Sequence, residues 1–174
     1  MRDFLVVVDM QNDFIDGALG TAEAVKIVPD VVERIKLFKG QVVYTRDTHQ
    51  ENYLETQEGR LLPVPHCLWG TEGWKIRKEV EDAAGEKVII DKPSFGSVSL
   101  GEYLQRENGK EAIGSVTLLG LCTDICVISN ALVVKAFLPE VPVIVDAACS
   151  AGATPEGHED ALKALERCQV RIIR

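Results

Sequence analysis

Cys126 is the side chain of this sequence that is best placed for nucleophilic chemistry. It lies in the segment Gly120–Val127 (GLCTDICV), where a predicted strand passes into a predicted helix. A thiol in the first turn of a helix is close to the positive end of the helix dipole, which stabilises the thiolate. The unpaired N–H groups of the same turn could bind an oxyanion. The alternative is a buried structural cysteine, but the position in the turn favours the nucleophile.

Asp9 and Lys92 could activate this thiol. Asp9 follows five apolar residues, so it is either a cap of the next turn or a general base. Lys92 is either a surface lysine or a cation that lowers the pKa of both neighbouring acids. A thiol, a carboxylate and an ammonium at three different strand ends favour a shared chemical site over a chance arrangement. We expect Asp13 and Asp16 to be loop caps or solvated charges.

A second group of polar side chains has the spacing of metal ligands. Asp47 and His49 are two residues apart and project to the same side of an extended segment, and His66 lies further along the same loop. Three protein ligands with open positions are typical of catalytic zinc, although iron and manganese also suit this set. The alternative is a solvated polar loop. We expect the third histidine, His158, to be solvated on a helix surface.

Three aromatic side chains are close in sequence to these polar residues: Phe14, Trp69 and Phe95. Flat aromatic walls beside a polar site would suit a flat aromatic ligand. The alternative is that these rings only fill the core. The sequence leaves both interpretations open, and the register of Trp69 is undetermined.

The elements that must position these residues are short apolar runs alternating with helical patterns. The predicted strands are Phe4–Asp9, Gln41–Thr45, Lys87–Asp91, Val116–Leu119, Val141–Val145 and Val170–Ile173. The predicted helices are Val25–Phe38, Lys75–Ala84, Ser99–Glu107, Asp124–Phe137 and Pro155–Arg167. This alternation predicts a six-stranded parallel sheet in a three-layer α/β/α sandwich. In such folds ligands bind at the carboxyl ends of the strands, where the candidate residues lie.

Composition limits the partners. The chain has 174 residues, which suits a single domain over residues 1–174. A net charge of −8 argues against nucleic-acid binding, and no apolar run approaches the ~20 residues that cross a membrane. The N-terminus lacks the pattern of a signal peptide. Five cysteines without a repeated C-x-x-C pair predict free thiols in the cytoplasm.

Several separated motifs together resemble one family. They are Asp9–Phe14 (DMQNDF), Arg46–His49 (RDTH), Pro65–Cys67 (PHC), Lys92 and Thr123–Val127 (TDICV). In this order they resemble the isochorismatase-like cysteine hydrolases, and within that family the nicotinamidases. The resemblance covers nearly the whole chain.

The resemblance implies that Asp9, Lys92 and Cys126 hydrolyse nicotinamide to nicotinate and ammonia through a thioester. It also implies a divalent metal, usually zinc, on Asp47, His49 and His66, and a homo-oligomer. It further implies a cis peptide between Leu121 and Cys122, with the N–H groups of Cys122 and Cys126 as the oxyanion hole. Isochorismatases proper lack the nucleophilic cysteine, so Cys126 argues against their activity.

The chain departs from the nicotinamidase pattern at two places. Many nicotinamidases have Ser-Ala-Phe after the lysine, where this chain has Gly96-Ser97-Val98. Some use an additional acidic ligand before the second histidine, and Glu58 is the nearest acid here.

Four other functions are compatible with parts of the pattern. The first is a family amidase for another small amide or a carbamoyl substrate, and the second is a metal hydrolase in which Cys126 is passive. The third is a phosphoacceptor signalling domain, suggested by the pair Lys92-Pro93; this pair follows the third predicted strand, whereas such domains carry it after the fifth. The fourth is a binding module without catalysis, for which the sequence has no positive feature.

Overall fold

Six parallel strands form the central layer of the molecule, which the computed structural model describes over all 174 residues. The strands are β1 (Arg2–Val8), β2 (Gln41–Asp47), β3 (Lys87–Lys92), β4 (Ile113–Leu121), β5 (Val143–Ala151) and β6 (Arg171–Ile173). Their order across the sheet is β3-β2-β1-β4-β5-β6, and every neighbouring pair is parallel. The predicted sheet is therefore confirmed.

Helices cover both faces of this sheet. They are α1 (Asn12–Ile15), α2 (Ala22–Leu37), α3 (Gln57–Leu61), α4 (Lys78–Glu81), α5 (Val98–Lys110), α6 (Ile128–Phe137) and α7 (Pro155–Arg167). A 3-10 turn at Tyr53–Glu55 and a π-helical turn at Thr123–Val127 complete the set. None of these helices combines the length and the apolar character needed to span a bilayer.

The central strand β1 shows why three layers form. Its residues from Phe4 to Val8 are fully buried, and their side chains alternate between two separate apolar clusters. Phe4, Val6 and Val8 pack with α5, α6 and α7, whereas Leu5 and Val7 pack with α1, α2 and α4. Each fully buried aliphatic side chain stabilises the fold by roughly 1.5–3 kcal/mol relative to exposure. A strand that is apolar on both sides therefore requires helices on both sides.

Two predicted helices differ from the structure. The helix expected over Lys75–Ala84 is limited to α4, a single turn. The helix expected to begin at Asp124 begins instead with the π turn, and Asp124 does not cap it. The Asp124 carboxylate accepts a hydrogen bond from the backbone N–H of Ala153, 2.9 Å away, so it joins this turn to the segment before α7.

The carboxyl ends of four neighbouring strands meet at one edge. Asp47 and Lys92 are register partners at the ends of β2 and β3. Gly120 lets β4 approach β1 closely: it has φ +118°, and a Cβ atom there would lie 2.1 Å from the Val8 carbonyl oxygen. Only glycine fits this position, because a side chain would meet backbone and strain the chain.

Candidate active site

Lys92 brings the three predicted catalytic side chains together. Its Nζ atom lies 2.7 Å from Asp9 Oδ2 and 3.4 Å from Cys126 Sγ. The same ammonium donates to the Ser94 carbonyl oxygen at 3.0 Å, and the side chains of Lys92 and Asp9 are fully buried. A buried lysine that is paired with a carboxylate and a thiol is not the surface lysine of the alternative interpretation.

Asp9 reaches this position through an unusual backbone conformation. Its φ is +46°, in the left-handed region that residues other than glycine seldom adopt. The Thr45 hydroxyl donates to Asp9 Oδ1 at 2.7 Å, which leaves Oδ2 facing Lys92. Strained residues of this kind concentrate at functional sites, where the surrounding structure enforces them.

The electrostatics of the site correct one expectation from the sequence. Burial raises the pKa of the Cys126 thiol well above its usual value, and Asp9 raises it further, while Lys92 opposes both effects. The direction of this shift is opposite to the stabilised thiolate that the sequence led us to expect. Burial also raises the pKa of Asp9, which makes its carboxylate a stronger base. The structure thus places a candidate proton acceptor, Asp9, and the Cys126 thiol on the same buried ammonium of Lys92.

The turn that carries Cys126 is supported from two sides. Asn130 donates to the carbonyl oxygens of Cys126 (2.8 Å) and Phe95 (3.0 Å), and its own oxygen accepts from the Ser97 N–H at 2.9 Å. On the other side, His158 Nδ1 lies 2.8 Å from the Thr123 hydroxyl. The expectation that His158 is merely solvated was wrong.

The peptide bond between Leu121 and Cys122 is cis, as the resemblance implied. The backbone N–H of Cys122 donates no hydrogen bond to the protein. A free N–H at this turn is available to an oxygen atom of a bound ligand.

Asp47, His49, Glu58 and His66 form a cluster next to this triad, with their donor atoms within 4.8 Å of one another. His49 Nε2 lies 3.0 Å from Asp47 Oδ2, and both histidine Nε2 atoms lie 3.6 Å from Glu58 Oε1. The other carboxylate oxygen, Asp47 Oδ1, lies 3.3 Å from Lys92 Nζ. Asp47 therefore belongs to both groups. Glu58 was not assigned by spacing, because its helix brings it to the cluster only through the folding of the long loop.

The donor chemistry of this cluster fits a divalent cation. Two imidazole nitrogens and two carboxylates suit zinc, iron or manganese. His66 Nδ1 lies 2.8 Å from the Val64 carbonyl oxygen, to which it can only donate, so in the neutral imidazole the lone pair is on Nε2, which faces the cluster.

Gln11 is a supporting residue that the sequence did not indicate. Its Nε2 donates to the Asp47 carbonyl oxygen at 2.8 Å, and its Oε1 accepts from the Asp47 N–H at 2.7 Å. A third bond, from Nε2 to the Trp74 carbonyl oxygen at 2.8 Å, attaches Gln11 to the opposite loop. The side chain of Gln11 is fully buried, so these bonds fix the backbone of Asp47.

A cavity of about 460 Å³ opens beside the two groups. Its polar wall consists of His49, Thr56, Gln57, Glu58 and Ser94, and its apolar wall consists of Leu61, Leu62, Pro93, Phe95 and Ile125. No lysine or arginine lines it. The cavity therefore adjoins the donor cluster on one side. On the other side it is lined by Ile125, which directly precedes Cys126 in the chain.

The three predicted aromatic residues have different positions. Phe95 lines the cavity and is 46% exposed, and Phe14 is buried with its ring centroid 5.5 Å from that of His66. Trp69 does not line the cavity; it is 65% exposed on a separate depression and contacts Trp74. Leu68 forms an isolated β-bridge with His49. Trp69, the next residue, lies at the outer surface.

Comparisons with known proteins show to which family this chain belongs. The family model described as "Isochorismatase domain" matches residues 3–174. An isochorismatase family protein of Bacillus subtilis, PncA, is 28% identical over 174 residues, covering 93% of each chain. The nicotinamidase/pyrazinamidase of Mycobacterium tuberculosis is 28% identical over 138 residues, covering 71% of this chain and 73% of that protein.

A solved structure has the same fold over the whole length. The pyrazinamidase of Pyrococcus horikoshii in complex with zinc superposes with a TM-score of 0.82 at 30% identity, covering 100% of this chain and 99% of that one. Together with the family match over residues 3–174, this similarity shows that the chain belongs to the isochorismatase domain family.

Proposed function

We propose that this protein is a cysteine amidohydrolase that converts nicotinamide to nicotinate and ammonia. The observation that carries the proposal is the buried ammonium of Lys92, which lies 2.7 Å from Asp9 and 3.4 Å from the Cys126 sulfur. The relative from Mycobacterium tuberculosis, whose name specifies nicotinamide and pyrazinamide hydrolysis, supports this substrate class.

In the proposed reaction, Asp9 accepts the thiol proton while the Cys126 sulfur attacks the amide carbon. The oxyanion receives hydrogen bonds from the N–H groups of Cys122 and Cys126, and each such donor contributes on the order of 3 kcal/mol. Asp9 returns its proton to the departing nitrogen, so that ammonia leaves and a thioester remains. Water then attacks the thioester, which releases nicotinate and restores the thiol. Lys92 stays protonated and stabilises the Asp9 carboxylate.

Asp47, His49, Glu58 and His66 would hold the divalent metal, with zinc favoured by the relative from Pyrococcus horikoshii. A metal bound there supplies a Lewis acid that can bind the ring nitrogen of the substrate. Phe95 would contact the substrate ring from the cavity, while Phe14 would support it from behind His66.

The cavity favours a neutral aromatic amide over a carbamoyl amino acid. A substrate with its own carboxylate needs a cation to bind it, because an unpaired charge is costly in a partly buried site. No lysine or arginine lines the cavity, and the nearby ammonium of Lys92 already contacts Asp9 and Asp47. The proposed metal is assigned to the ring nitrogen of the substrate, so no further cation is left for a substrate carboxylate.

The test is ammonia release from nicotinamide by the wild-type protein and by Cys126→Ala. We expect the variant to lose at least about 10³-fold in kcat, because the nucleophile is removed. Circular dichroism and metal analysis serve as controls, since fold and metal content should not change. Ammonia release by Cys126→Ala at a rate close to wild type would overturn the proposal and favour the hydrolase in which Cys126 is passive.

A further inference from the structure

Asp13 lies outside the donor cluster, yet its carboxylate is bonded to the loop that carries the cluster. Its Oδ2 atom accepts a hydrogen bond from the backbone N–H of Cys67 at 2.8 Å. The sequence indicated only a loop cap or a solvated charge at this position. The bond spans 54 residues of chain, so it is a tertiary contact. The expected loop cap is also present, because Asp13 Oδ1 accepts the backbone N–H of Ala18 at 3.3 Å.

The backbone of Cys67 connects this carboxylate to both histidines. Cys67 follows His66 directly in the chain, and its carbonyl oxygen accepts the backbone N–H of His49 at 3.0 Å. Cys67 has φ +45°, a left-handed conformation that costs a residue other than glycine roughly 1–3 kcal/mol. A conformation of this cost persists only where other contacts enforce it, and the bond from Asp13 to its N–H is such a contact.

Gly73 leaves the space in which the carboxylate sits. A Cβ atom at Gly73 would lie 2.1 Å from Asp13 Oδ2, and the Gly73 carbonyl oxygen accepts the Asp13 backbone N–H at 3.0 Å. A methyl group at this glycine would therefore displace the carboxylate without changing its chemistry.

We infer that Asp13 is a positioning residue for His49 and His66, and that it acts through the left-handed backbone of Cys67. The inference rests on the proposed metal site. Metal affinity depends on ligand placement within a few tenths of an ångström, and loss of an outer partner typically costs about 10–100-fold in affinity. Asp13 thus acts on the metal site without touching it.

The test is a Co²⁺ titration of the full metal-free chain, followed by the visible absorption of the bound ion. We expect Asp13→Ala and Gly73→Ala to bind Co²⁺ about 10–100-fold more weakly than wild type, with an altered spectrum that reports changed ligand geometry. Asp13→Asn keeps an oxygen for the Cys67 N–H and should bind several-fold more tightly than Asp13→Ala. The controls are Asp16→Asn, which removes an exposed carboxylate paired with Arg77, and Gly85→Ala, where a Cβ meets nothing within 4 Å.

Two results would overturn the inference. One is Co²⁺ binding by Asp13→Ala and Gly73→Ala that matches the controls in affinity and spectrum. The other is equal weakening in Asp13→Asn and Asp13→Ala, which would assign the effect to charge. Thermal unfolding of the metal-free variants shows whether they fold. Failure of the wild-type chain itself to bind Co²⁺ would instead contradict the proposed metal site.

Discussion

At the scale of single residues, Lys92 is the contact between the two halves of the site. Its ammonium is buried between the carboxylates of Asp9 and Asp47, with Cys126 as a further neighbour. Burial lowers the pKa of this lysine, but the neighbouring carboxylates of Asp9 and Asp47 outweigh it, so that the pKa is raised well above its usual value. Lys92 therefore remains charged throughout the proposed reaction and acts by electrostatics, not by proton transfer.

Replacing this ammonium tests its role in the fold. Lys92→Met would leave the two buried carboxylates without their cation, and breaking a buried ion pair from one side typically costs about 3–5 kcal/mol. We expect that loss in the free energy of unfolding, measured by urea denaturation, together with loss of ammonia release. The exposed Lys26 provides the control, since Lys26→Met should change stability little. An equally stable Lys92→Met variant would contradict the electrostatic role.

At the scale of elements, Asn130 joins two parts of the fold that carry the site. Its side chain extends from α6 and donates a hydrogen bond to the Cys126 carbonyl oxygen in the turn before this helix. It also forms hydrogen bonds with Phe95 and Ser97, which follow β3. Its amide is fully buried, and both of its polar atoms are used. The position of the nucleophile relative to Lys92 therefore depends on packing between α6 and the loop after β3.

Asn130→Ala should weaken this junction. The change leaves the Ser97 N–H and the Phe95 carbonyl without their partner, which we expect to cost roughly 3 kcal/mol of stability and to lower kcat for ammonia release. Ser129→Ala is the matched control, because the Ser129 hydroxyl bonds only the Ile125 carbonyl oxygen at the surface. If both variants have the same kcat, Asn130 does not position the nucleophile.

At the scale of the whole molecule, the proposed metal would join distant parts of the chain. Its ligands come from the end of β2, from α3 and from the loop before Trp69, so binding would stabilise the folded state over the unfolded one. Three other properties stay predictions: a single domain, a homo-oligomeric state and a cytoplasmic location. Sedimentation equilibrium would determine the second of these.

Metal binding should therefore appear in thermal unfolding. Zinc at 100 times its dissociation constant contributes about 2.7 kcal/mol, which corresponds to a rise in Tm of roughly 5–10 °C for a chain of this length. Treatment with a chelator should reverse the rise. His66→Ala should show a much smaller effect of zinc, and an unchanged Tm in the wild-type protein would contradict a folded-state metal site.

The alternation of strands and helices, and the chemistry at the strand ends, follow from the sequence by itself. Apolar runs such as Phe4–Val8 predict buried strands. Parallel crossovers between these strands then place Asp9, Lys92 and the Cys126 turn at one edge of the sheet. This part of the site could be predicted without any distances, because the topology alone determines which strand ends share an edge of the sheet.

Only the tertiary structure decided which residues beyond those ends join the site. Glu58 enters the donor cluster and Trp69 leaves the cavity, since both lie in a long loop whose path depends on contacts with distant segments. The direction of the Cys126 pKa shift also differs from the expectation, because burial and the proximity of Asp9 raise the pKa. These quantities are properties of three-dimensional packing, and spacing along the chain does not contain them.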